Sequence, residues 1–256
     1  MELLEKIKGT VQKAGEIVLS AHNLDTSTSQ KTSAADLVTV YDKQVEEFLK
    51  RELLTILPGA VFYGEEETEN GDPRHGWAFI VDPIDGTTNF VRGLHHSAVS
   101  VALAKDGAVQ YAVVLNPYKN ELFTAVQGQG AFLNSKAIHV SDCSLSQGIF
   151  AMGSAPYHKE LHDTTLRLTS QLFDCSCDFR RMGSAALDLC DVACGRVEAY
   201  FEYVLSPWDY AAGSLIITEA GGHISTLAGT PIRLDQGSSI WASNQVNRNI
   251  LKQMDL

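Results

Sequence analysis

Trp77-Ala78-Phe79-Ile80-Val81-Asp82-Pro83-Ile84-Asp85-Gly86-Thr87-Thr88-Asn89-Phe90 is the stretch that decides how the rest of the chain is read. Residues 77–81 form the short apolar run expected of a buried strand, and Pro83 fixes a turn just beyond it. The strand end delivers Asp82, and Asp85 follows three residues on, so both carboxylates can converge on one point. Converging carboxylates repel unless a cation lies between them, and hard cations such as Mg²⁺ take oxygen ligands while keeping waters or substrate phosphate in their remaining positions. Gly86-Thr87-Thr88 adds backbone N–H groups and hydroxyls, which make an anion site where a helical turn begins. An isolated Asp-x-x-Asp is better read as a pair of capping acids at a strand-to-turn transition. The Gly-Thr-Thr beside it shifts the reading to metal-assisted phosphate chemistry.

Acids recur after a second short apolar segment, in Tyr63-Gly64-Glu65-Glu66-Glu67. Glu67 and Glu69 read as a solvated loop, whereas Glu65, at the strand end, joins Asp82 and Asp85 if the two strands are neighbours. Downstream, Ser206-Pro207-Trp208-Asp209 has Ser at an N-cap, Pro at the first helical position and Asp at the third. Capping alone is a sufficient reason for Asp209.

The flanking periodicities set the fold class. Leu3, Leu4, Ile7, Val11, Ala14, Ile17, Val18 and Ala21 recur at steps of three and four, predicting an amphipathic helix. Thr39-Val40-Tyr41-Asp42 reads as a capping box opening a second helix, with Val45, Phe48, Leu49, Leu53 and Ile56 inward and Pro58-Gly59 as its stop. Strands are predicted over 60–63, 77–81, 97–105, 108–115 and 121–127, with Asp106-Gly107 as a two-residue hairpin and 116–120 as a longer turn. After Ser146 strands (148–152, 177–181, 197–203) alternate with helices (158–172, 184–194, 207–220), and 240–243 plus a short terminal helix complete the chain. The class is α/β (α+β) with two sheets. An N-terminal α+β half, 1–143, is largely antiparallel and carries most candidate ligands. A C-terminal α/β half, 144–256, carries Asp209, and the two form one compact unit.

Composition excludes several functions. The chain has 256 residues, with 20 Lys+Arg against 31 Asp+Glu, for a formal charge of −11. A pI near 5.1 without a basic run argues against nucleic acid or an anionic membrane as a bulk electrostatic partner. With 45% apolar and 20% charged residues the chain is an ordinary globular one. The best candidate for a membrane span, 211–220, is interrupted by Gly213, Ser214, Thr218 and Glu219, and charges at Glu2, Glu5 and Lys6 break any signal-peptide core. The expectation is a cytoplasmic protein whose five Cys are reduced thiols.

Three separated motifs occur together and in order: Gly64-Glu65-Glu66, Asp82-Pro83-Ile84-Asp85-Gly86-Thr87-Thr88-Asn89-Phe90, and Trp208-Asp209-Tyr210-Ala211-Ala212-Gly213. The set resembles the signature of the inositol monophosphatase family. Lys31, Asp36-Leu37-Val38-Thr39-x-x-Asp42 and Gly183-Ser184-Ala185-Ala186 match as well, so the resemblance spans nearly the whole chain. It implies a layered α/β/α/β/α sugar-phosphatase fold and a Mg²⁺-dependent, lithium-sensitive phosphomonoesterase, usually a homodimer. By this resemblance Glu65, Asp82 and the carbonyl of Ile84 hold a first Mg²⁺. Asp82, Asp85 and Asp209 hold a second, and a third, weaker ion uses Glu65. Gly86 and Thr87 donate N–H groups to the phosphate, the Thr87 hydroxyl paired with Asp42 orients the attacking water, and Glu65 belongs with them to the catalytic set. Glu202 contacts a sugar hydroxyl, and Ser184-Ala185 line the substrate.

The chemistry agrees with that assignment. A phosphate monoester dianion repels a nucleophile, and paired metal ions activate water, neutralise the phosphoryl oxygens and stabilise the leaving alkoxide without a covalent enzyme intermediate. The chain has neither a G-x-S-x-G elbow nor a G-x-x-x-x-G-K-[ST] phosphate loop. The expected substrate is a small sugar or polyol phosphate, with myo-inositol 1-phosphate the first choice, because Thr87-Thr88-Asn89-Phe90 looks like the inositol phosphatase branch. Fructose 1,6-bisphosphatase and 3′-phosphoadenosine 5′-phosphate phosphatase activities are the enzymatic alternatives. A non-catalytic acidic metal-binding protein is the alternative of another class, against which Thr87 with Asp42 speaks.

Other features read as structural. His158 and His162 read as a solvated helix face, since Glu160 is one position off H-E-x-x-H. Cys175, Cys177, Cys190 and Cys194 lack zinc spacing and read as buried free thiols. Gly128-Gln129-Gly130 reads as a hairpin turn. His95-His96 stand where the family tends to have Pro and an aromatic, and are placed at a rim or subunit contact.

Overall fold

The computed structural model describes residues 2–21, 28–30, 37–67 and 70–254, with the backbone alone at 28–30, 37 and 38. Lys31, Asp36 and Glu69 lie outside the described residues.

Helix α1 (Glu2–Leu19) buries Ile7, Val11, Ala14 and Val18 at the predicted spacing, and α2 (Val40–Ile56) buries Val45, Leu49 and Leu53. The capping box that opens α2 is formed, with Thr39 N donating to Asp42 Oδ2 at 2.7 Å and Asp42 N to Thr39 Oγ1 at 3.3 Å. Ahead of it β1 (Thr28–Gln30) and β2 (Leu37–Thr39) pair antiparallel.

The first large sheet has seven strands in sequence order: β3 (Val61–Gly64), β4 (Trp77–Asp85), β5 (Ala98–Lys105), β6 (Ala108–Asn116), β7 (Glu121–Val126), β8 (Ala131–Leu133) and β9 (Lys136–Ile138). Only the β3–β4 pair is parallel. Successive side chains of a strand face opposite sides, and β4 follows this: Phe79 and Val81 pack with α1 and α2, while Ile80 faces the second core.

The chain crosses to the second sheet after Ile138. That sheet comprises β10 (Ile149–Met152), β11 (Asp178–Arg180), β12 (Ala199–Leu205), β13 (His223–Ser225) and β14 (Ser238–Ser243), in the order β11-β10-β12-β14-β13. It is mixed: β10 runs parallel to β11 and β12, whereas β14 is antiparallel to β12 and β13. After the short α3 (Thr87–Val91), the remaining α-helices among the described residues are α4 (His162–Phe173), α5 (Ala185–Ala193) and α6 (Pro207–Glu219). Helices α5 and α6 lie between the two sheets, in a core joining Ile80, Val114 and Phe123 of the first with Tyr200, Ile240 and Ala242 of the second. Being sandwiched, α6 is buried continuously from Tyr210 to Ile217, as a helix apolar on all sides must be. On the far face of the second sheet, Leu168 and Leu172 of α4 pack on Phe150, Phe201 and Trp241. The order helices, sheet, helices, sheet, helix is the layered α/β/α/β/α architecture. Among the described residues no helix is long and apolar enough to cross a membrane.

Several local expectations need correction. Pro83 does not end β4, which continues to Asp85 through a register shift: Asp82 pairs with Ser100 but Asp85 with Ala98. The extra residue is a β-bulge, a position that tolerates a proline with no N–H for the ladder. The short strands β8, β9 and β13 carry too few residues to show a period and were not foreseen. The predicted helix over 158–172 is split, with a 3₁₀ turn Lys159–Leu161 preceding α4, so His158 and His162 do not share one helical face. All five cysteines are free, but Cys177 is exposed and only Cys190 fully buried.

Candidate active site

The bulge in β4 turns the Asp82–Asp85 segment into the site's base. Ile84 N donates to Asp82 Oδ1 at 3.0 Å, closing a tight local turn. Asp85 sits against the start of α5, accepting from Ser184 Oγ, from Ala186 N at 2.8 Å and from Ala185 N at 3.3 Å. Asp209 stands at the start of α6, and its Oδ2 accepts from Ser206 N at 2.6 Å, so the predicted cap is present. One oxygen from each of Asp82, Asp85 and Asp209 nevertheless falls within 4.8 Å of the others. Two helix starts, both stabilised by carboxylates, thus aim at the end of one strand.

Glu65 reaches the same place because β3 and β4 are parallel neighbours. Gly64 pairs with Val81, Glu65 N donates to Val81 O at 3.3 Å, and Glu65 borders the cavity that Asp82, Asp85 and Asp209 line. Behind it, Glu46 of α2 is buried and accepts from Glu66 N at 3.0 Å. A Cβ at Gly64 would stand 2.7 Å from the Glu46 carboxyl carbon, so a side chain there would displace Glu46.

The electrostatics are those of a site awaiting positive charge. Burial, then the charges of Glu65, Asp85 and Asp209, hold Asp82 well above the usual carboxylate range. Burial, then Asp85 and Glu65, does the same to Asp209. Asp85 is pushed up to about 6 by burial, against the pull of its donors Ser184, Ala186 and Ala185. None of these three acids forms an ion pair with a described residue. Buried, unpaired carboxylates are costly unless a cation sits among them, and an all-oxygen donor set suits Mg²⁺. The residues present therefore fit the metal that the resemblance implies.

Gly86, at φ 88°, turns the chain from β4 into α3. A Cβ there would lie 2.9 Å from Gly183 O and 3.2 Å from His96 O. The next hydroxyl, Thr87 Oγ1, stands 3.2 Å from both Asp42 Oδ1 and Ile84 O. Asp42 is 1% exposed, and burial pushes it up to about 6 against the lowering bonds from Thr39. Asn89 pins this turn to the second half by donating to His96 O and Met182 O, each at 2.8 Å.

The cavity measures about 390 Å³ and runs from these acids to β12. Ser184, Ala185 and Glu202 all border it. Ser184, however, turns its hydroxyl onto Asp85, and Glu202 accepts from Tyr200 Oη at 2.6 Å and Ala155 N at 2.8 Å. Asp188, Arg181, His158 and Trp208 also line it and were not foreseen. His158 immediately precedes the 3₁₀ turn that leads into α4. His95 stacks on Tyr118 with ring centroids 4.9 Å apart, and the His96 ring buries Nε2 without a partner.

Known proteins resemble this chain over nearly its whole length. The Nus factor SuhB of Escherichia coli strain K12 is 39% identical over 250 residues, covering 95% of this chain and 92% of its own. The solved extragenic suppressor protein SuhB of Bartonella henselae superposes with a TM-score of 0.92 at 34% identity, covering 99% of this chain and 98% of that one. Inositol monophosphatase from Anabaena (Nostoc) sp. PCC 7120 does so with a TM-score of 0.87 at 31% identity, covering 98% and 96%. Residues 1–255 match the profile of the inositol monophosphatase family, and the chain belongs to that family.

Proposed function

We propose that the chain is a Mg²⁺-dependent phosphomonoesterase for a small sugar or polyol phosphate, with myo-inositol 1-phosphate the first substrate to test. The observation that carries this reading is the convergence of Asp82, Asp85 and Asp209 within 4.8 Å, in the cavity that also holds Thr87. Asp82, Asp85 and Asp209, with Glu65 and the Ile84 carbonyl, would hold two or three Mg²⁺. Bound there, the metal supplies Lewis acidity and positive charge to a phosphate and to the water that attacks it. Gly86 and Thr87 offer backbone N–H groups to the phosphate. The Thr87 hydroxyl donates its hydrogen bond toward Asp42 Oδ1 and Ile84 O, each at 3.2 Å, which leaves a lone pair to orient the attacking water, while Asp42 is itself held by Thr39. Glu202, Ser184 and Ala185 face the leaving group. A cytoplasmic homodimer inhibited by lithium is the expected form.

A second reading rests on the relative named Nus factor SuhB at 39% identity: this chain would serve as a Nus factor, with or without hydrolysis. Measuring phosphate release from inositol phosphates, fructose 1,6-bisphosphate, 3′-phosphoadenosine 5′-phosphate and NADP, with and without Mg²⁺, tests the enzymatic reading. Mg²⁺-dependent release from an inositol phosphate supports it, and no release from any of them removes it.

A further inference from the structure

One buried acid that borders the cavity stands outside the Asp82–Asp85–Asp209 cluster. Helix α5 starts at its N-cap Ser184, whose hydroxyl is spent on Asp85. Four residues on, Asp188 lies on the same helical face. It is 2% exposed and borders the cavity; Oδ1 is enclosed without a partner, and no described residue donates a hydrogen bond to the carboxyl group. The rest of the helix is ordinary core, with Ala186, Leu187, Leu189, Val192 and Ala193 all buried. A buried polar group left without a partner calls for a specific reason, and folding supplies none at this position.

The neighbours of Asp188 narrow what would satisfy it. The charges of Asp85, Asp191 and Glu202 all bear on Asp188, Glu202 and Tyr200 border the same cavity, and the Tyr200 hydroxyl is already given to Glu202 at 2.6 Å. The cation whose charge offsets both Asp188 and Glu202 is Arg181, which is exposed and donates to Ser154 Oγ at 3.2 Å. These residues therefore present carboxyl oxygens with few donors. Such a surface complements hydroxyl hydrogens and disfavours a second phosphate or carboxylate.

We infer that Asp188 is a specificity-determining residue that takes a hydrogen bond from a hydroxyl of the leaving group. This rests on the phosphomonoesterase reading and adds a residue to it. The test compares kcat/KM for myo-inositol 1-phosphate with that for p-nitrophenyl phosphate, whose leaving group has no further hydroxyl. It uses the full-length protein with Mg²⁺ for wild type, Asp188→Ala and Asp188→Asn. The polyol-to-aryl ratio is expected to fall about 10-fold or more in Asp188→Ala, the scale of one lost hydrogen bond to a carboxylate. Asp188→Asn, which keeps one acceptor oxygen, is expected to recover part of it. A ratio within about two-fold of wild type in Asp188→Ala overturns the inference, because a purely structural acid would affect both substrates alike. Thermal melts of both variants report whether they fold, and the ratio is read on whichever does. If wild type releases phosphate from neither compound, the phosphatase reading fails and this inference with it.

Discussion

The Thr87 hydroxyl stands 3.2 Å from Asp42 Oδ1, a contact that spans 45 residues and joins the capping box of α2 to the turn after β4. Asp42 Oδ2 is occupied by Thr39, through N at 2.7 Å and Oγ1 at 2.6 Å. The two oxygens thus divide the work, one capping a helix and the other fixing the direction of the Thr87 hydroxyl.

Removing that hydroxyl should act on turnover far more than on folding, where the loss of a donor to the buried Asp42 costs about 1–3 kcal/mol. For Thr87→Ala we expect kcat to fall on the order of 100-fold or more, with KM changed little, because the attacking water loses its orienting group. Thr87→Ser keeps the hydroxyl and should restore most of the rate. Steady-state kinetics on inositol 1-phosphate with saturating Mg²⁺ decide this. Near-normal kcat in Thr87→Ala would remove the residue from the reaction.

Asp85→Asn separates metal binding from folding. Asp85 is held by Ser184 and by the N–H groups of Ala185 and Ala186, and its charge raises both Asp82 and Asp209. In EDTA the variant should melt close to wild type, since relief of like-charge repulsion opposes the loss of one acceptor oxygen facing Ala185 N or Ser184 and Ala186 N. With Mg²⁺ wild type should gain about 2.7 kcal/mol at 100 Kd, whereas Asp85→Asn should gain far less and release no phosphate. Retained Mg²⁺-dependent activity in the variant would sink the metal assignment.

Glu46 makes stability depend on pH. Burial, which outweighs the lowering bond from Glu66 N, pushes it up to about 7 from an ordinary 4.5, and the charges of Glu66, Glu67 and Glu65 add to the rise. The folded state therefore holds this proton more tightly than the unfolded state does. Its stabilising effect is complete below pH 4.5 and is lost as pH rises through 7. Glu46→Gln keeps the oxygen that accepts from Glu66 N and imitates the protonated form. Urea melts in EDTA should show the variant close to wild type at pH 5 and more stable at pH 8. Equal stabilities at pH 8 would contradict the assignment.

How much of this was legible in the sequence varies with the distance over which each feature is determined. The capping boxes at Thr39 and Ser206 are local patterns, and both are formed. The two-sheet class followed from periodicity. Asp209 shows the limit of local reading: capping explained it fully, yet one oxygen caps Ser206 while the residue also meets Asp82 and Asp85. That meeting depends on α6 lying between the sheets, and only the resemblance pointed to it. Pro83 misled because a turn and a β-bulge use the same residue, and the strand opposite decides between them. Asp188 went unseen because a single acid in an apolar helix looks like a solvent-facing position until the cavity beside α5 is built.

Gly86 offers the most local test of how the fold positions the chemistry. Its backbone is left-handed at φ 88°, and a Cβ would stand 2.9 Å from the carbonyl oxygen of Gly183, a backbone atom held in place because the adjoining Met182 carbonyl is tied to Asn89. For Gly86→Ala the left-handed conformation alone costs roughly 1–2 kcal/mol, and the contact adds to it. The chain can relieve that contact only by moving the turn that carries Thr87 away from Asp42, or by parting β4 from the start of α5, where Ser184 holds Asp85. Either movement disturbs the acid cluster. We expect a lowered melting temperature in EDTA, a smaller Mg²⁺-induced rise, and phosphate release reduced more steeply than stability. A variant that folds less stably yet keeps wild-type turnover would show that the turn's exact path does not matter to the reaction.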